Sequence, residues 1–239
     1  MMKIISWNVR GLGGYEKRRE VGQLVKETNP YIMCIQETKM CVIDGVVCKT
    51  FWNDTNVDFS YLPSRGASGG LLTLWDRSKV VVWSSWQLEH VLGIQGRFVR
   101  NDEEFILLNV YAPCDISQQQ ALWHNISERL TTFSDLNVCI CGDFNTVRSM
   151  EEHKSVGGPS SHVGSVSFNV FIGENFLVDL PLWGRNFTWF RGDGKSMSRL
   201  DRYLLSEKWC LSWPNCCQLA STRGLSDHCP IQLCIDEEN

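Results

Sequence analysis

From Val46 to Tyr111 the chain offers a close series of strand-length apolar runs and no convincing helix, and this series limits the fold more than any other feature. The runs are Val46 to Phe51, Phe59 to Leu62, Gly70 to Trp75, Val80 to Trp83, Leu92 to Val99 and Phe105 to Val110. Ser-Arg-Gly, Asp-Arg-Ser and Asn-Asp-Glu-Glu turns separate them, so successive hairpins are expected. On either side, strands alternate with helices. Lys3 to Val9 reads as a strand and Tyr15 to Thr28 as a helix with Val21, Leu24 and Val25 on its apolar face. Asn29-Pro30 stops that helix before a second strand at Tyr31 to Ile35, which gives the chain a parallel β-α-β start.

After Tyr111-Ala112-Pro113 the pattern predicts a helix over Ser117 to Thr132, a buried strand over Val138 to Cys141, a glycine-rich loop at Val156 to Pro159 and a helix from about Ser165 to Asn175. Strands are expected near Leu177 to Leu180, Phe187 to Phe190, Arg199 to Leu204, Cys216 to Thr222 and Pro230 to Ile235, with a short helix at Ser206 to Ser212. No linker or low-complexity tract interrupts the chain. The alternation predicts one domain over residues 1–239, an α/β fold of two packed mixed sheets with outer helices.

A hydrophobic fraction of 43% and ten tryptophans supply a sizeable core. The net charge of −4 argues against wholesale binding to nucleic acid, so any such contact is expected to be local. The eleven cysteines are odd in number and form no Cys-x-x-Cys. Cys34, Cys139, Cys141 and Cys234 lie inside apolar runs, which marks them as reduced core residues. The N-terminus carries no leader with a small-residue cleavage site, and no apolar run reaches membrane-spanning length. An intracellular protein without a membrane partner is expected.

Polar residues capable of chemistry fall at predicted strand ends: Asn8, Glu37, Tyr111, Asp143, Asn145, Asp201 and the pair Asp227-His228. Cys139-Ile140-Cys141-Gly142-Asp143-Phe144-Asn145 shows the pattern most sharply, because Gly142 allows a tight turn where the strand leaves the sheet. Glu37, Asp143 and Asp227 are oxygen donors of the type Mg²⁺ prefers, and no cluster with zinc spacing competes. A hard cation with a histidine suggests phosphate-ester chemistry. Each residue has a plainer reading: a turn cap at Asn8, an Asx-turn at Asp143, a strand-end aromatic at Tyr111, an Asp201 paired with Arg199 or Arg202, a satisfied histidine at His228.

Six motifs then occur in order: Ser-Trp-Asn-Val-Arg-Gly at 6–11, Gln-Glu-Thr at 36–38, Asn-Val-Tyr-Ala-Pro at 109–113, Gly-Asp-Phe-Asn at 142–145, Arg-Leu-Asp-Arg at 199–202 and Ser-Asp-His at 226–228. Together they resemble the endonuclease/exonuclease/phosphatase superfamily. Phe187-Thr188-Trp189 ahead of Arg-Leu-Asp-Arg is similar to the apurinic-type endonuclease domain of plant LINE-type non-LTR retrotransposons. The resemblance implies a four-layer DNase I-like sandwich and a Mg²⁺-dependent (alternatively Mn²⁺-dependent) DNA endonuclease that leaves 3′-hydroxyl and 5′-phosphate ends.

By the same resemblance Glu37 binds the metal, with Asn8 beside it and Asp227 as a further ligand. Asp143 orients or deprotonates water and is held by Asn145, His228 contacts the phosphate, Asp201 fixes the imidazole, and Tyr111 assists. Arg10 departs from the family pattern, which often has an acidic residue there, and is expected to face the cleft and bind substrate rather than metal. Arg185, Arg191, Lys195, Arg199 and Arg202, set among Phe187, Trp189 and Phe190, form the expected DNA-binding stretch. No reverse-transcriptase segment follows Asn239, so a detached, decayed or recruited copy is expected, acting as a monomer and compatible with nuclear entry. The competing readings are a phosphatase or deadenylase of the same superfamily and an inactive binding domain.

Overall fold

A computed structural model describes residues 1–52, 56–66, 68–133, 135–156 and 163–236. In chain order the first half contains β1 (Met2–Asn8), α1 (Tyr15–Thr28), β2 (Ile32–Gln36), α2 (Gly45–Lys49), β3 (Val57–Leu62), β4 (Leu71–Asp76), β5 (Val80–Leu88), β6 (Val91–Phe98) and β7 (Glu104–Tyr111). There follow α3 (Ile116–Leu130), β8 (Asn137–Asp143), β9 (His153–Ser155), α4 (Val163–Glu174), β10 (Leu177–Asp179), β11 (Leu182–Trp183), β12 (Trp189–Phe190) and β13 (Ser196–Ser198). The chain closes with β14 (Asp201–Ser206), α5 (Glu207–Ser212), β15 (Cys217–Ala220) and β16 (Ile231–Ile235).

Seven strands form one sheet in the order β11-β15-β16-β1-β2-β4-β3, and six form the other in the order β10-β14-β8-β7-β6-β5. Both are mixed. The β1–β2 and β7–β8 pairs are parallel, while β1–β16, β2–β4 and β14–β8 are antiparallel. A small third sheet, β12-β13-β9, stands apart.

Strand alternation divides the core into three apolar layers. On β8, Cys139 and Cys141 pack between the sheets with Ile4, Cys34 and Leu107, while Val138 and Ile140 face α3 and α4. On β1, Ile5 and Trp7 instead meet Val21 of α1 and Cys48 of α2. Helix, sheet, sheet and helix are therefore stacked as four layers, with cysteine serving as a small hydrophobe at the sheet–sheet contact. All eleven cysteines are free. No helix among the described residues is long and apolar enough to cross a membrane.

Several expectations need correction. Val46 to Phe51 is not a strand: Asp44 accepts a hydrogen bond from Val47 N at 2.9 Å and caps α2. A β-branched pair had suggested extension, but the cap and the burial of Cys48 against the first sheet decide for helix. The run from Val80 continues to Leu88 because a bulge between Val82 and Ser84 absorbs Trp83. The strands β9, β11 and β13 run for only two or three residues each, too short to be legible from alternation. Beyond Val156, the expected loop to Pro159 lies outside the described residues.

Candidate active site

Strand register brings the polar residues to one end of the sandwich. In the parallel pair β7–β8, Tyr111 stands beside Asp143; in the antiparallel pair β8–β14, Asp143 stands beside Asp201. In the other sheet Asn8 pairs with Gln36, and Glu37 follows at once with φ +52. Gly142 makes the β7–β8 approach possible, since its φ is +142 and an added Cβ would lie 1.9 Å from Val110 O. Gly70 does similar work beside Glu37, where an added Cβ would meet Thr38 Oγ1 at 2.2 Å.

Asn8 joins the two sheets. Its Nδ2 donates to Glu37 Oε1 at 3.0 Å and to Asp143 Oδ2 at 2.9 Å, and all three residues are buried. His228 reaches the same carboxylate, with Nε2 3.7 Å from Asp143 Oδ2, while its Nδ1 lies 2.9 and 3.1 Å from the two oxygens of Asp201. Thr188 fixes Asp201 from behind, because its Oγ1 accepts from the backbone N of both Leu200 and Asp201 at 3.0 Å. Ser226 Oγ donates to Asn8 O at 2.7 Å and accepts from His228 N at 3.2 Å. The Tyr111 phenol lies near enough to Glu37 for the two to influence each other's protonation.

The electrostatics separate the two halves of this cluster. Burial pushes the His228 imidazole down, but Asp201 and then Asp143 raise it further, to about 9. The ring therefore carries its proton at neutral pH, with Asp201 selecting the orientation. Burial raises the Asp143 carboxyl; the His228 charge opposes this and the Asp201 charge adds to it. Glu37 is held below its ordinary range because donation from Asn8 and Tyr111 and the charges of Arg10 and Lys39 outweigh its burial. Burial and the Glu37 charge push the Tyr111 phenol well above its usual value, so it remains a donor.

Ligand-type atoms of Asp143, Asp201 and His228 lie within 4.8 Å of one another. With Nδ1 committed to Asp201 and the ring cationic, that trio suits an anion at Nε2 better than a cation. The Glu37 half has the donor chemistry of a hard divalent ion: one carboxylate that already collects Asn8 Nδ2, Arg10 Nη1 at 2.9 Å and Lys39 Nζ at 3.4 Å.

Three expected roles, those of Asp227, Arg199 and Arg202, are at odds with the geometry, whereas Asn145 holds Asp143 as expected. Asp227 is not open to metal: Arg10 Nε and Nη2 both lie 2.9 Å from it, and Trp189 Nε1 donates to its Oδ2 at 3.0 Å. Asn145 holds Asp143 by its backbone N, 3.0 Å from Oδ1, while its side chain donates to Ala112 O at 2.7 Å. Arg199 and Arg202 do not face DNA. Both turn inward to Glu152 and Asp179, and the Arg202 side chain is 0% exposed. Arg185 is half-buried ahead of β12, whereas Arg191 and Lys195 are exposed on the β12–β13 turn, next to the Trp189–His228 bridge. Lys39, Thr188, Trp189 and Ser226 escaped sequence reading as site residues, although the quoted motifs contain or adjoin all four.

The sequence matches the Endonuclease/Exonuclease/phosphatase family over residues 5–228. The chain belongs to that family. The chain is similar to the Exodeoxyribonuclease of Bacillus subtilis (strain 168), 26% identical over 98% of this chain and all of that protein. In fold, this family member is similar to the AP endonuclease LMAP from Leishmania major, at 18% identity and TM-score 0.77 over 97% of this chain and 86% of that one. It is also similar to the 3′ phosphatase NExo from Neisseria bound to a product DNA hairpin, at 18% identity and TM-score 0.75 over 99% of this chain and all of that one. Like the family to which it belongs, the protein is a hydrolytic enzyme, and its two packed mixed sheets with outer helices are the DNase I-like sandwich.

Proposed function

We propose that the protein is a divalent-metal-dependent DNA endonuclease that nicks one strand to 3′-hydroxyl and 5′-phosphate ends. The observation that carries this reading is the bridge made by Asn8 between Glu37 and Asp143, with the His228–Asp201 pair on the far side of Asp143. Asp143 accepts a proton from the attacking water, and Asn8 with the Asn145 backbone keeps the carboxylate aimed. Protonated His228 donates from Nε2 to a non-bridging phosphate oxygen as negative charge develops there. Tyr111 stands as a neutral donor beside Glu37 for the phosphate or the leaving oxygen. Glu37 would hold Mg²⁺ or Mn²⁺, which would supply charge neutralisation for the phosphate.

DNA as the substrate is supported by the exposed cations Arg191, Lys195 and Arg223 around half-exposed Phe190, over which Arg223 lies at 5.3 Å. Origin from a plant LINE-type retroelement rests on Phe187-Thr188-Trp189 and Arg199-Leu200-Asp201-Arg202, which supply the Thr188 and Trp189 contacts behind Asp201 and Asp227. With this reading go a monomer and residues 1–239 as one unit. Incubation with supercoiled plasmid tests it. Open circles should accumulate with Mg²⁺ and be absent with EDTA. Release of phosphate from 3′-phosphorylated ends without nicking would replace the endonuclease reading with a phosphatase.

A further inference from the structure

Arg10 occupies a position that the nicking reading does not require. Its backbone is left-handed, with φ +56, and its N donates to Asn8 Oδ1 at 3.1 Å, which turns the side chain back across the site. One guanidinium then serves two acidic residues: Nη1 donates to Glu37 Oε1 at 2.9 Å, while Nε and Nη2 chelate Asp227. Trp189 Nε1 closes the other side of Asp227, and Lys39 Nζ lies 3.4 Å from Glu37 Oε2. Two carboxylates therefore face two cations, and this half of the centre is neutral without any metal. A carboxylate held by a bidentate guanidinium has few lone pairs left for a metal, and the guanidinium has none to offer.

We infer that Arg10 is an internal cation that withdraws Asp227 from metal binding, confines the centre to one divalent ion at Glu37 and weakens the affinity for that ion. The inference rests on the reading of Glu37 as the metal-facing carboxylate. A divalent ion must displace Nη1 from Glu37, and it arrives in the field of a fixed positive charge. Asp227, in turn, acts through Arg10 rather than on the metal.

The test reads bound metal and not turnover. Mn²⁺ alone, without DNA, is titrated calorimetrically into the full chain, and free Mn²⁺ is followed by electron paramagnetic resonance. The wild type should bind one equivalent. Arg10→Ala should bind the first equivalent at least about tenfold more tightly, because a nearby full charge is removed, and should take up a second equivalent once Asp227 is released. Arg10→Ala/Asp227→Asn should return to one. In EDTA the Tm of Arg10→Ala should fall below that of the wild type, and Mn²⁺ should close the gap. Should Arg10→Ala fail to fold, Arg10→Gln keeps donors without the charge and should also gain affinity. Equal stoichiometry and affinity in the wild type and the Arg10 variants would overturn the inference, as would the absence of Mn²⁺ binding in all of them. Altered Mn²⁺ binding in a protein that never nicks DNA would sustain it while refuting the endonuclease reading.

Discussion

Asp143 and Glu37 are both buried carboxylates on Asn8, yet their neighbours give them opposite characters. Asp143 shares its surroundings with Asp201 and His228 and is raised by burial, which suits a group that takes and returns a proton. Glu37 is surrounded by donors and cations and stays anionic. Asp143→Asn keeps the shape and removes the base, so nicking should fall by about 10²- to 10⁴-fold with little change in metal dependence. Glu37→Gln should instead recover activity as Mg²⁺ is raised. Nicking rates of both variants across a Mg²⁺ titration separate the roles, and equal losses insensitive to metal would refute the division.

At the scale of elements, β12 supplies more to the site than its two residues suggest. Its neighbour Thr188 is fully buried, and the single hydroxyl oxygen holds two backbone donors at the start of β14. Thr188→Val preserves volume and strands both donors, which should cost about 1–3 kcal/mol of stability. If Thr188 positions Asp201, the alkaline limb of the kcat pH profile should also move to lower pH, as a less firmly held carboxylate supports less charge on His228. Lower stability with an unmoved profile would leave only a packing role. The β12–β13 turn carries Arg191 and Lys195 into solvent. Replacing both with Ala should lower the salt slope of DNA binding by about 2, near 0.9 for each lost phosphate contact. An unchanged slope would remove the hairpin from the DNA surface.

At the scale of the whole molecule, an ion network ties β10 and β14 of the second sheet to the segment that follows β8. Arg148, Arg199 and Arg202 share Glu152 and Asp179, and Arg202 also donates to Arg199 O. Asp201 sits between the two inward arginines, so the network anchors the strand that presents it. Arg202→Ala leaves buried carboxylates without their main partner and should destabilise the fold by about 3–5 kcal/mol in urea unfolding. Glu152 adds a pH signature. Burial opposes its charge, but Arg202 outweighs burial and lowers the carboxyl below its ordinary 4.5. The stabilisation is fully present above that value and is lost as pH falls through the lower folded value. Acid unfolding of Glu152→Gln should therefore show a shallower loss of stability below about pH 4.5 than the wild type.

The fold class and most of the cluster were legible because both depend on local rules. Period-two alternation, turn residues and a glycine before Asp143 define strands and their ends, and ordered motifs place Asn8, Glu37, Asp143, Asp201 and His228 on them. What only tertiary structure decided is who pairs with whom. Arg199 and Arg202 look like cations among aromatics in the sequence, yet their partners Glu152 and Asp179 stand up to fifty positions away and become neighbours only when β14 closes the sheet. Asp227 has the chemistry of a metal ligand and is taken by Arg10, 217 positions distant. The helix at Gly45–Lys49 went unseen for the opposite reason: five residues carry too little periodicity to outweigh a β-branched pair. Sequence fixes which groups a strand end presents; long-range approach decides which of them remain free to react, because a charge is neutralised by whatever lies nearest in space.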